Sequence, residues 1–368
     1  MKRAFLLVLL VLILVTFSAC GSGNGSPSEN TGETRVIIDV WGREVEIPAE
    51  VETIVTLGPG ATRIAVYLNV QDLIIGAETQ TVNFNILMDF SPIAHEAFQT
   101  LPIVGRGGGS GENNAYVEAL ILEAPDVILA AFSPVAADEL QAQSGIPVIA
   151  VRYTSTGLAN ETFFAAMRVF GEVVNQQDRA EEVLSQIEAL KTDLSNRTVH
   201  VPEVEKLRVY AGAITFAGQR GFGGTYSNFG PLNLIHAHNV ADTAMEAGFY
   251  EVDFEQILAW DPDVIFLDPG NMSLVSAEYE SNPTFFRSLR AIQQGRVYTL
   301  PAFNFSATNV TYALMNAYFA GTILFPEQFA DIDIAEKSAE ILTFFLGTDT
   351  FDLMAENGLF FGTITLGD

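Results

Sequence analysis

Glu118-Ala-Leu-Ile-Leu-Glu-Ala-Pro-Asp-Val-Ile128 and Glu255-Gln-Ile-Leu-Ala-Trp-Asp-Pro-Asp-Val-Ile265 say nearly the same thing, 137 residues apart. Each reads as a short helix, a Pro-Asp break and a buried strand, with a glutamate seven residues before the proline. One supersecondary unit used twice predicts two similar lobes. Two lobes predict a cleft, and a cleft between paired α/β lobes is a common way to enclose a small ligand.

The surrounding chain supports this reading. Thr53–Leu57, Val127–Ala131, Ile146–Val151, Leu207–Ala211 and Val264–Asp268 are short, largely apolar runs separated by helical stretches. Strands that are apolar throughout belong to parallel sheets buried on both faces, so the fold class is α/β. Trp41-Gly42-Arg43 reads as the turn of a hairpin ahead of them. From Leu158 to Ser195, Phe164, Met167, Phe170, Val174, Ala180, Leu184, Ile187 and Leu190 recur at roughly helical spacing. Asn175-Gln-Gln-Asp178 allows a kink within that stretch. It is either a long helix spanning from lobe to lobe or a helical hairpin packed on one lobe. The expected boundaries are a first lobe at 35–157, a linking helix at 158–198 and a second lobe at 199–368.

Residues 1–19 have the composition of an export signal. Met1-Lys2-Arg3 starts positive, and Ala4–Phe17 is apolar except for Thr16, shorter than the roughly 20 residues a membrane span needs. Cys20 is the only cysteine, so no intrachain disulfide is possible. Residues 20–34 lack apolar side chains to bury and read as a flexible tether. The formal charge of −27 argues against nucleic acid and anionic lipid as partners.

Taken in order, the pieces resemble the substrate-binding lipoproteins of ABC importers for iron–siderophore, haem and cobalamin. The resemblance rests on Asp39-Val-Trp-Gly-Arg-Glu-Val-Glu-Ile-Pro48, Ile54–Thr62, Leu101–Gly105, both Glu-x6-Pro-Asp units, Asn233–Asp242 and Gly295–Leu300. These pieces are spread in order over most of residues 36–346. It implies two Rossmann-like lobes joined by a long helix, with no catalysis and no resident cofactor. It implies that Glu118 and Glu255, one per lobe, dock onto arginines of the membrane permease, forming a two-point electrostatic clamp. The same charges would also suit the start of a helix. The resemblance further implies cleavage before Cys20 and lipidation of that residue, which would hold the protein at the outer face of the cytoplasmic membrane. One position departs from the pattern. Where the family usually has an acid after Ala-Thr, this chain has Arg63.

The ligand is read from scarce basic residues. Between Arg63 and Arg152 the only lysine or arginine is Arg106. Arg106, Arg152 and Arg220 all fall on loops expected at the C-terminal ends of strands, where open α/β sheets bind ligands. With Arg63 they would favour an anion through paired donors. Tyr153, Phe222, Tyr226 and Phe303 are expected as flat apolar walls, alongside Phe132 and Phe305. The predicted ligand is a bulky anionic metal chelate: a ferric siderophore, a haem or a corrinoid. A small oxyanion such as molybdate or tungstate is the alternative. A bare metal ion is disfavoured, because His236 and His238, two apart in an expected helix, point to different faces, and the other histidines are His95 and His200. No Ser-His-Asp or Cys-His pattern, and no Gly-Lys-Ser/Thr phosphate loop, suggests an enzyme.

Overall fold

Both copies of the Pro-Asp unit end their helix in the same way. The helices Val117–Glu123 and Phe254–Trp260 close on Ala124 and Asp261, which take left-handed backbone with φ of 45° and 39°. The following proline cannot continue the helix. The aspartate after it then caps the start of the lobe's central strand. Asp126 Oδ2 accepts from the N–H groups of Glu52 and Thr53, each at 2.9 Å. Asp263 Oδ2 accepts from the N–H of Arg208, also at 2.9 Å. The repeat therefore fixes how a strand enters the sheet beside its neighbour, once in each lobe.

In this computed structural model the described residues are 32–367, except 109–112, 154–157, 159, 217 and 244–247. The leader at 1–19, Cys20 and most of the tether lie outside them. Among the described residues no helix is long and apolar enough to cross a membrane.

Strands β1 (Thr34–Ile38) and β2 (Glu44–Pro48) form an antiparallel hairpin. The first lobe then supplies β3 (Ile54–Leu57), β4 (Ile74–Glu78), β5 (Ile103–Gly105), β6 (Val127–Ala130) and β7 (Val148–Ala150). They lie in the order β5-β4-β3-β6-β7, all parallel. The second lobe has β8 (Arg208–Gly212), β9 (Gly224–Ser227), β10 (His238–Asn239), β11 (Gly248–Glu251), β12 (Val264–Leu267) and β13 (Val297–Thr299). Of these, β10-β8-β12-β13 make a parallel sheet, while β9 and β11 pair as an antiparallel ribbon. Every residue of β3, β6, β7 and β12 is buried, as sheets covered on both faces require. The α/β, two-lobed expectation is met.

The helical stretch after the first lobe is two helices, Glu161–Val173 and Gln177–Thr198. The chain turns between them at Asn175, whose φ is 55°. A Cβ on Gly171 would stand 2.8 Å from that of Ala180, so this glycine lets the helices meet closely at the turn. They run back alongside one another. Arg168 pairs with Glu181 at 2.7 Å, and the Lys191 ammonium lies 5.7 Å from the Phe164 ring. Only the second helix crosses between lobes. Arg179, near its start, donates to the Tyr67 carbonyl of the first lobe at 3.0 Å, and Ser195, near its end, lies 2.9 Å from His236 of the second. Its 22 residues span about 33 Å. The hydrophobic period runs through both helices, which is why 158–198 reads as one element in sequence.

Candidate functional site

Each parallel sheet has a point where strand order reverses, at β3/β6 in the first lobe and β8/β12 in the second. Loops leaving the C-terminal ends of strands diverge there and open a crevice. A cavity of about 540 Å³ lies against the β8/β12 switch point of the second lobe and the segment after β4 of the first. The first lobe contributes Gln80 and Leu87. From the second come Thr215, Phe216 and Gln219 after β8, Asn271 after β12, and the Asn304–Ala307 loop after β13. No acidic or basic side chain is among these described walls.

The β8 side of the cavity is rigid. Phe216 stacks on Phe249 of β11, with ring centroids 4.7 Å apart and planes within 15°. Arg220 sits 5.0 Å over Phe249, donates from Nε to the Phe216 carbonyl at 2.9 Å, and faces Glu251 at 3.5 Å. Deeper in, Asn271 Nδ2 donates to the Ala213 carbonyl at 2.6 Å and to Thr215 Oγ1 at 2.9 Å. Thr215 Oγ1 in turn donates to Asp268 Oδ2 at 2.5 Å. Burial pushes Asp268 up to about 6, against the bonds it accepts from Thr215, Gly270 and Ala302. This carboxyl joins the three loops that build the second lobe's side of the cavity. Asn271 Oδ1 is buried and has no partner among the described residues. In the first lobe, Glu78 at the end of β4 is buried and pushed up to about 7, although the Gly58 N–H donates to it at 3.0 Å.

Arg63 is not a cleft residue. Its side chain is fully buried and pairs through Nε with Asp89 at 2.6 Å, both groups being 0% exposed. The rest of the guanidinium reaches across to the second lobe. It donates to the carbonyls of Ser306 at 2.8 Å and Phe305 at 3.2 Å, and to Asn309 Oδ1. Burial works against its charge, yet Asp89 holds its pKa above the ordinary value. Asp89 also accepts from Tyr67 and Thr311. The departure from the family's usual acid at position 63 is thus an interlobe clamp beneath the cleft.

Of the aromatics expected at the site, Phe305 lines the cavity, whereas the other arginines and the remaining aromatics do not. Arg106 is exposed and forms no ion pair among the described residues; its carbonyl accepts from the Gln80 N–H at 3.3 Å, which places it beside the cavity wall. Arg152 is exposed and lies 6.0 Å over Trp41. Arg220 braces the loop from behind, as described. Phe222 is 0% exposed in a second core with Tyr210, Phe285 and Phe286, so it packs rather than binds. Tyr226 and Phe303 are buried against Phe216 and Phe229. Tyr153 donates to the Thr308 carbonyl, and a Cβ on Gly60 (φ 80°) would strike its ring at 2.1 Å. Glu118 and Glu255 are both exposed, each in the first turn of its repeated helix.

Gln80, Thr215, Gln219 and Asn271 escaped sequence reasoning because neutral polar residues are common in any loop, and Phe216 because a single aromatic reads as core. Their signal was positional, since all follow β4, β8 or β12. The histidines do not gather. The helix expected to hold His236 and His238 stops at Leu234, His236 contacts Ser195, His238 pairs with Glu203 at 2.6 Å, and His95 contacts the Val82 carbonyl. No cluster of metal-ligating side chains is found among the described residues.

Twin parallel-sheet lobes, one crossing helix and a cavity between strand-end loops of both lobes define a two-lobed ligand receptor. The profile of the family described as periplasmic binding protein matches residues 96–303, and the chain belongs to that family. Its members are the solute-binding components of ABC importers, work outside the cytoplasm and are not enzymes. Among characterised relatives, the chain is 22% identical to the molybdate-binding protein MolA of Haemophilus influenzae over 362 residues, 91% of this chain and 93% of that one. The molybdate-bound structure of MolA superposes with a TM-score of 0.62 at 20% identity, covering 86% of this chain and 98% of that one. A periplasmic solute-binding protein from Veillonella parvula matches with a TM-score of 0.67 at 18% identity, over 89% and 97% of the two chains. The periplasmic haem-binding protein HutB of Vibrio cholerae matches at 0.54 and 15% identity, over 74% and 99%.

Proposed function

We propose that this protein captures a metal chelate, a ferric siderophore, haem or corrinoid, in the interlobe cavity and hands it to an ABC importer permease. The observation that carries this reading is the cavity itself. Its volume of about 540 Å³ falls within the roughly 300–1,000 Å³ typical of sites for mid-sized organic ligands. Phe216, Phe305 and Leu87 give it apolar surface, and amides and hydroxyls supply orientation. A bare tetrahedral oxyanion would fill a small part of that space.

The second reading, a molybdate or tungstate receptor, is favoured by the likeness to MolA along nearly the whole chain. One measurement separates the two. Protein purified from its native host should carry a visible absorption band together with iron or cobalt. A colourless preparation containing molybdenum or tungsten overturns the chelate in favour of the oxyanion.

Delivery is assigned to Glu118 and Glu255, exposed at equivalent positions of the two lobes, as the contacts to permease arginines. Reversing both charges (Glu118→Lys with Glu255→Lys) should leave ligand affinity within about twofold and reduce uptake in cells by tenfold or more. Undiminished uptake removes the assignment. Lipidation at Cys20 is proposed as the anchor that keeps the receptor at the membrane surface.

A further inference from the structure

The Asn304–Ala307 loop crosses the mouth of the cavity with two consecutive residues in left-handed backbone, Ser306 at φ 50° and Ala307 at φ 65°. Such a conformation is unfavourable for side-chain-bearing residues and persists only when its surroundings impose it. Here they do. Arg63 takes the carbonyls of Phe305 and Ser306, and Tyr153 takes that of Thr308. Asn309 N–H closes the loop onto the Phe303 carbonyl at 2.7 Å.

Peptide planarity gives these bonds a consequence on the other side. No cis bond is present among the described residues, so each N–H there points opposite to the carbonyl of its own peptide unit. The carbonyl of Phe305 shares its peptide with the N–H of Ser306, and the carbonyl of Ser306 with that of Ala307. Both carbonyls point back to buried Arg63, so both N–H groups point away from it. Arg63 does not line the cavity, whereas Ser306 and Ala307 do. Among the described residues neither N–H meets an acceptor. Two adjacent donors without partners therefore face the ligand space. The guanidinium bonded to the far end of each peptide polarises it and strengthens the N–H as a donor.

We infer that the Ser306 and Ala307 amides form the point that holds an anionic oxygen of the ligand, and that Arg63 is the positioning residue that sets them. This rests on the interlobe cavity being the ligand site. It explains how a chain of net charge −27 recognises an anion in a cavity without a basic side chain. Oriented backbone amides act as fixed partial positive charges. The oxygen can come from the rim of a chelate or from a free oxyanion, and the probes below distinguish these.

The test uses the ¹⁵N-labelled mature protein titrated separately with haemin, a ferric tricatecholate and sodium molybdate, with calorimetry in parallel. For whichever probe binds, the Ser306 and Ala307 amide protons should move downfield and saturate with the calorimetric isotherm. Ser306→Gly keeps the N–H and the backbone conformation, so its affinity should stay within about twofold. Arg63→Lys keeps a buried cation but reaches one carbonyl at most, and should weaken binding by about tenfold or more. The folded variant should also lose the downfield shift at position 307. A probe that binds while both amides stay unmoved overturns the inference and leaves the receptor reading intact. So does loss of affinity in Ser306→Gly, which would assign the contact to the hydroxyl. Failure of all three probes to bind overturns the substrate reading and this inference together.

Discussion

Replacing Arg63 by methionine is expected to lower the unfolding free energy by about 3–5 kcal/mol, the usual consequence of removing one partner from a buried ion pair. The size follows from what remains. Asp89 is 0% exposed and would keep a charge with only hydroxyl and amide donors, from Tyr67, Thr311 and the Phe90 N–H, to compensate it. The carbonyls of Phe305 and Ser306 would lose their donor as well. Methionine fills the site only as far as the arginine Nε, so a small cavity where the guanidinium stood adds to the effect of the stranded charge. Urea unfolding of the wild type, Arg63→Met and the double variant Arg63→Met/Asp89→Asn gives the check. Neutralising Asp89 should recover part of the loss, because the stranded charge and not the missing contact dominates. A loss below about 1 kcal/mol in the single variant would show that the pair is solvated in solution and that the interlobe clamp does not exist.

This clamp also marks where the sequence stops being readable. The helix stop of the Pro-Asp repeat could be interpreted because its causes are local, a left-handed residue followed by a proline, whereas the aspartate's partners on the neighbouring strand lie 55 to 74 residues away. The sheets could be interpreted because β3, β6 and β12 are apolar throughout. Arg63 could not, since its partners at 305, 306 and 309 are more than 240 residues away in the chain. Charge scarcity drew attention to the arginines and so to the wrong chemistry. Arg63, Arg152 and Arg220 work on carbonyls, rings and acids of the protein itself. The cavity is walled by Gln80, Thr215, Asn271 and backbone of the Asn304–Ala307 loop, residue types that carry no signal until the fold brings them together. Phe222 illustrates the same point for aromatics. Its Gly-rich surroundings suggest an exposed loop, but the chain folds back so that Phe222 fills a core between Phe285 and Phe286.

Lowering the pH from about 8 to about 5.5 is expected to stabilise the protein, the opposite of what salt-bridged carboxylates produce. Glu78 and Asp268 are both buried, and burial raises them from 4.5 to about 7 and from 3.8 to about 6. With the folded pKa above the unfolded one, the native state binds the proton more tightly. Stability is therefore gained as pH falls through about 7 for Glu78 and about 6 for Asp268, and the gain is complete below their unfolded values. Each shift corresponds to roughly 3 kcal/mol at full protonation. Groups held low by cations, such as Glu203 beside Lys206 and Asp331 beside Arg197, work in the other direction, but they lose their contribution only in more acidic solution. General repulsion within a chain of charge −27 has the same sign as the two buried acids, so a rising profile alone does not identify its source. Substitution does. Glu78→Gln should flatten the profile near neutrality, and Asp268→Asn should flatten it about one unit lower, while the repulsive component persists in both. Urea midpoints measured at half-unit steps would decide the matter. Parallel, unflattened profiles in the two variants would mean that neither carboxyl is charged at a cost in the folded protein, and the buried acids flanking the cleft would then have no part in its pH response.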